Sequence, residues 1–172
     1  MVLAAFGLSG AVVWAGLGAA LGSLPATAAI TAVAIAYAIA YGLAETLRLP
    51  VRRFGLRAQV PSPWIRGRRP GVQVGVWGAV LGPGLLTHNQ YAGIWLVPMM
   101  VALSGDARRG ALVGALAGLS HGLARAVGIL RLMPRIREWE RPGTIVLAQL
   151  RWRVVDGAAL TFVGGILLGR LV

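Results

Sequence analysis

The chain has no cysteine and no lysine. The first absence excludes structural disulfides, thiol catalysis, iron–sulfur clusters and cysteine-held zinc. The second leaves arginine to carry all 17 basic charges, as expected of a GC-rich coding sequence that is also abundant in Ala, Gly and Val. Acids are scarce as well: five residues, Glu45, Asp106, Glu138, Glu140 and Asp156. Charged residues make up 13% of the 172, against about 25% in a soluble domain. That shortage excludes an ordinary globular enzyme, a disordered tail and a small secreted scaffold.

What takes the place of charge is apolar bulk. Hydrophobic residues reach 57% and the mean hydropathy is +0.73. A bilayer-spanning helix needs roughly 20 mostly apolar residues. Residues 1–44 contain no Asp, Glu, Lys or Arg, and the turn Gly22-Ser-Leu-Pro25 divides them. Proline suits a helix start, so two spans are expected, about 2–21 and 26–47. The first has no basic leader and runs directly into the second, so it is expected to be retained rather than cleaved as a signal peptide. The next charge-free stretch, 71–105, is 35 residues long with Pro83-Gly84 inside it. It is too long for one straight helix and reads as a broken one. Spans at about 111–132 and 154–172 complete an all-α, polytopic membrane protein of about five transmembrane helices in a single domain over 1–172.

Two basic connections set the orientation. Residues 48–70 hold seven arginines and no acid, and residues 131–153 hold six arginines against Glu138 and Glu140. Basic loops stay on the cytoplasmic side. Five spans put both loops on that side of the cell membrane, with the N-terminus inside and the C-terminus outside. Thirteen arginines then lie inside, and three, Arg108, Arg109 and Arg170, outside. A hairpin at 71–105 returning to its own side would place the second basic loop outside, so a through-going broken helix is expected. Trp64, Trp139 and Trp152 stand beside these arginines, a pairing suited to the headgroup region. The partner expected there is anionic lipid, at about 1 kcal/mol per basic residue near the surface. The topology accounts for the charge, so no nucleic-acid role is assigned.

Glycine recurs every fourth residue along the fourth span at Gly110, Gly114, Gly118 and Gly122. Such positions share one helix face and admit a neighbouring backbone, which is how membrane helices gain contact. Shorter pairs occur at Gly18/Gly22, Gly71/Gly75, Gly78/Gly82 and Gly165/Gly169. The packing partner is a helix of the same chain, a second copy or another membrane protein.

Polar residues gather at two places inside the apolar stretches: Thr87-His88-Asn89-Gln90-Tyr91, just after Gly82-Pro83-Gly84, and Ser120, His121 and Arg125 on the fourth span. Thr87 and Gln90 have capping-box spacing, with Leu86 and Tyr91 as the apolar staple. A helix restart at His88 is therefore expected, with His88, Tyr91 and Trp95 on one face. Counting back from the turn at 104–110 brings Arg125 to about the depth of His88. Thr87, His88, Asn89, Tyr91, His121 and Arg125 form the candidate solute site. Helix-end N–H groups, a guanidinium and imidazoles without a nearby acid suit an anion, and transporters bind substrate at broken helices. The competing reading is that these side chains only tie helices together and that Arg125 snorkels. No catalytic constellation is present, since Ser120-His121 lacks an acid. Two histidines without supporting carboxylates make a thin metal ligand set, so no enzyme activity, metal or cofactor is expected.

Gly82-Pro83-Gly84, the apolar stretch after it, the short turn and the Gly/Ala-rich 110–130 together resemble one repeat of the transmembrane cytochrome c biogenesis and thiol-disulfide carrier family. The resemblance covers about 60 residues, as a single-sequence reading. It implies a broken-helix scaffold. That family's broken helices carry Pro-Cys motifs; this chain has no cysteine, so electron transfer is not carried over. The chain also resembles small bacterial integral membrane proteins, which adds no activity. The function expected is a small transporter for an anionic or polar solute, or alternatively a non-catalytic membrane subunit or scaffold that packs through its glycine faces.

Overall fold

The computed structural model describes residues 1–50, 62–85, 92–132 and 142–169. Among the described residues the chain is all-helical. Helix α1 spans Val2–Gly22 and α2 spans Ala28–Thr46. The second helix starts after Pro25 rather than on it: Thr27 is the N-cap, its hydroxyl accepting from the Ile30 N–H at 3.3 Å. A short turn, α3 (Ser62–Ile65), precedes α4 (Pro70–Leu81), which carries its proline at the helix start. A 3-10 turn at Gly93–Trp95 leads into α5 (Leu96–Ala102). Helix α6 covers Ala107–Leu132 and α7 Pro142–Gly169. Four stretches are long and apolar enough to cross a membrane: Val2–Gly22, Ala28–Thr46, Ala107–Arg131 and Trp152–Gly169. Helices α4 and α5 are each too short to cross alone.

One boundary differs from the sequence expectation. The connection expected over 131–153 is helical from Pro142 onward, because proline is well placed at a first helical turn and nothing after it breaks the helix. The apolar composition marks where a helix enters lipid, not where the helix begins. The helix restart expected at His88 lies outside the described residues; within them the second half opens on the 3-10 turn Gly93–Trp95, with Ala92 as its N-cap.

Helices α1 and α6 pack antiparallel over most of their length, Phe6 opposite Gly122, Gly10 opposite Gly118, Trp14 opposite Gly114 and Gly18 opposite Gly110. The approach is backbone on backbone. A methyl placed on Gly118 would lie 2.6 Å from the Gly10 carbonyl carbon, and one on Gly122 would lie 2.8 Å from that of Phe6. Asp106 starts α6, its carboxylate accepting from the Arg109 N–H at 2.7 Å. A second antiparallel pair joins α2 to α7 through Gly42 and Gly157, where a methyl on Gly157 would meet the Gly42 carbonyl oxygen at 2.7 Å.

The α4–α5 segment runs alongside α1 from one end of the bundle to the other. Gly71 lies against Met1, Gly78 against Ala5 and Gly82 against Ser9. At the far end Gly22 faces Ser104 and Asp106, and Gly105 faces Ala26. Helix α4 packs on α1, whereas α5 touches α1, α2 and α6 alike, and Leu96 with Ala92 joins a core of Ala34, Ile35, Ala38 and Leu160. Both half-length helices thus lie against α1, and the second adds contact with α2.

Candidate functional site

The break between α4 and α5 is where the polar chemistry of the described residues collects. Its first flank is Gly82-Pro83-Gly84. Ser9 donates to the Gly78 carbonyl at 2.6 Å and the Phe6 carbonyl at 3.1 Å, tying the end of α4 to α1. Pro83 has no N–H to continue a helix. Its carbonyl accepts from the Trp14 indole Nε1 at 2.8 Å, with the indole almost wholly buried. Gly84 has φ +74°, the left-handed region that favours glycine. It also has a second reason to be glycine: a methyl there would meet His121, 2.8 Å from Cδ2. His121 Nε2 is buried against this glycine with no hydrogen-bond partner.

The second flank is Ala92-Gly93, held from the other helix pair. The Tyr37 hydroxyl of α2 donates to the Ala92 carbonyl at 2.8 Å. The Gly93 N–H donates to Oδ2 of Asp156 on α7 at 3.0 Å. A side chain at Gly93 would run into that carboxylate, 3.3 Å from its Cγ. Non-helical backbone in an apolar environment needs each freed N–H and carbonyl satisfied by a neighbour. Trp14, Tyr37 and Asp156, from three helices, do this for the two flanks.

The same face of α2 carries Tyr37, Tyr41 and Glu45 at steps of four, one above another on a helix. The two tyrosine rings stack with centroids 4.5 Å apart. Glu45 is fully buried and ion-paired with Arg153 of α7, the Nε donating to Oε2. Arg153 Nη2 also donates to the Leu49 carbonyl at 3.1 Å. That carbonyl is presented by a left-handed turn at Arg48, φ +59°, which closes the end of α2. A buried ion pair recovers its desolvation cost only with such added hydrogen bonds.

Of the residues expected to form a solute site, Thr87, His88, Asn89 and Tyr91, with Gln90, lie outside the described residues. His121 is at the break, against Gly84. Arg125 is one turn further along α6 and partly buried. Ser120 stands apart: it is exposed and its hydroxyl returns to the Leu116 carbonyl at 2.8 Å. Gly110, Gly114, Gly118 and Gly122 all face α1 of the same chain. The sequence reading passed over Trp14, Tyr37, Tyr41, Glu45, Arg153 and Asp156. The signal for three of them was the spacing of Tyr37, Tyr41 and Glu45 along one apolar span. Comparison with family models, characterised proteins and solved structures finds no match to this chain.

Proposed function

We propose that the chain is an integral protein of the cell membrane that crosses it five times, N-terminus cytoplasmic, and passes a small anionic or polar solute at the break in its third crossing. The observation that carries this reading is the break itself. A crossing made of two half-helices, its backbone ends held by Trp14, Tyr37 and Asp156, is costly to build. In membrane proteins irregular backbone is kept where it lines a cavity or a path, and substrate sites form at discontinuous helices. The linker supplies Thr87, His88, Asn89 and Tyr91, and α6 supplies His121 and Arg125, a set rich in donors and able to grip an oxyanion. The reading is non-enzymatic. The scaffold is in keeping with the broken helices of the thiol-disulfide carrier family, without their chemistry. At the cytoplasmic end, exposed Trp64 with Arg66, Arg68 and Arg69 suits anionic headgroups.

The alternative, a scaffold subunit, has one observation in its favour. Gly165 and Gly169 have open space beside them, and Phe162 and Ile166 on the same helix are exposed. The glycines of α6 lend it no support, since α1 covers them.

Thermal-shift measurement of the full chain in detergent against chloride, sulfate, phosphate, acetate and small carboxylates tests the solute site. Wild type is expected to be stabilised by at least one of these anions, Arg125→Ala by none, and Arg125→Lys in part, because lysine lacks the planar fork. No stabilisation of wild type by any anion, or equal stabilisation of wild type and Arg125→Ala, overturns the site.

A further inference from the structure

We infer that the protein is built of two moving parts joined at α5: α1, α4 and α6 form one part, α2 and α7 form the other, and their relative movement widens and narrows the break. The inference rests on the solute reading above for its purpose, although not for its test.

The two parts differ from their joint in the kind of packing. Within each part, backbone lies on backbone. A methyl on Gly18 of α1 would lie 2.8 Å from the Gly110 carbonyl carbon of α6, and one on Gly78 of α4 would lie 2.7 Å from that of Ala5 on α1. A methyl on Gly157 of α7 would lie 2.6 Å from the Thr46 nitrogen of α2. Close glycine contacts of this kind hold membrane helices together by fit alone, and interiors packed so closely switch between discrete arrangements rather than deform. The Glu45–Arg153 ion pair fastens α2 to α7 a second time.

Between the parts the contact is made by side chains. Among the described residues the parts meet chiefly through α5 and the turn before it: α5 touches α1 and α6 on one part and α2 on the other, and the turn Gly93–Trp95 touches α7. Met99 and Met100 of α5, both half-buried, pack against the core that holds Ala34, Ala38 and Leu160. Methionine is unbranched and repacks readily as its surroundings shift, which suits a joint and not a lock.

The ties of the break divide along the same line. Its first flank is bonded to α1 through Ser9 and Trp14, with His121 of α6 against Gly84. Its second flank is bonded to Tyr37 of α2 and Asp156 of α7. Each flank therefore travels with its own part, and movement of one part against the other changes the gap between them. The pivot lies where the turns at 23–27 and 103–106 meet: Gly22 faces Ser104 and Asp106, and Gly105 faces Ala26. Rocking of one helix group against another around a site near a broken helix is how such a site gains access to each side in turn.

The chain has no cysteine, so spin labels attach only where one is introduced. Leu8→Cys, Leu112→Cys, Val33→Cys and Phe162→Cys place labels on exposed positions of α1, α6, α2 and α7. Double electron–electron resonance on the full chain in phosphatidylcholine/phosphatidylglycerol nanodiscs then compares two pairs within a part, 8 with 112 and 33 with 162, and two between parts, 8 with 162 and 33 with 112. Each label serves once in either kind of pair, so its own flexibility cancels. Distances within a part are expected to be narrowly distributed and unmoved by sulfate or phosphate. The distance from 8 to 162, far from the pivot, is expected to be broader by several ångströms or two-peaked, and that from 33 to 112, beside the pivot, to be less so. Between-part distances as narrow as those within a part overturn the two-part reading, as do within-part distances equally broad; a spread as large from 33 to 112 as from 8 to 162 overturns the pivot. An anion panel without effect beside a broad 8-to-162 distance removes the solute reading alone; anion stabilisation beside a narrow, unmoved 8-to-162 distance removes the movement alone.

Discussion

Two alanine substitutions on the same helix are expected to act in opposite directions. In Gly118→Ala the added methyl lies 2.6 Å from the carbonyl carbon of Gly10 and 2.7 Å from the Trp14 Cβ. The Gly10 atom is backbone in the middle of a continuous helix, so no side-chain rotation relieves the clash; α1 and α6 must move apart. Overpacking of this kind costs about 1–3 kcal/mol. In Gly128→Ala, ten residues along α6, nothing lies within 4 Å of the new methyl. Only the backbone-entropy gain of replacing a helical glycine remains, at most about 0.5–1 kcal/mol in favour of the fold. At about 2–4 °C per kcal/mol for a chain of this size, Gly118→Ala should lower the melting temperature in detergent by roughly 2–12 °C, and Gly128→Ala should leave it unchanged or raise it slightly. The chemical change is identical in both, so helix propensity and detergent binding cancel in the comparison. Equal melting temperatures for the two variants would mean that the glycine face of α6 meets lipid rather than α1, and the antiparallel register would fall with it.

The Glu45–Arg153 pair should respond asymmetrically in the same melting assay. Glu45 is fully buried whereas Arg153 is 15% exposed, so Arg153→Ala removes an ion-pair partner from a fully buried carboxylate and should cost up to about 3–5 kcal/mol; Glu45→Ala frees a guanidinium that can snorkel to the headgroups and should cost clearly less. Equal losses would show that the arginine is as confined as its partner. Alkaline-phosphatase fusions check the direction of the chain: they should be active after residues 107 and 172 and inactive within 52–69 and 135–151, and activity after residue 60 would reverse the orientation on which the cytoplasmic lipid contacts rest.

The helices were legible because a bilayer penalises each charged residue in a span, and residues 1–44 have none. The break was legible for a local reason, a proline between glycines at 82–84. What lay at its far side was not. Glu45 and Asp156 stand near the ends of their expected spans, and a charge near the end of an apolar run looks the same whether it meets lipid headgroups or a neighbouring helix. The difference is made by partners distant in sequence: Arg153 is 108 residues from Glu45, and Asp156 is 63 from Gly93. The spacing of four from Gly110 to Gly122 has the same limit. It defines a face that can admit another backbone, and the backbone that fills it belongs to α1, about a hundred residues earlier. Composition also misjudged α7, because Pro142 starts the helix ten residues before the apolar stretch at Trp152 begins. That extension has a consequence for the site. It makes Arg153 and Asp156 interior residues of a long helix rather than the frayed first turn of a short one. Their spacing of three then places both on the side of α7 that faces α2 and the break, one engaged with Glu45 and the other with Gly93. A first-turn aspartate would have its own helix's N–H groups to satisfy. Asp156 lies well inside α7, and its carboxylate accepts from the Gly93 N–H of the broken helix.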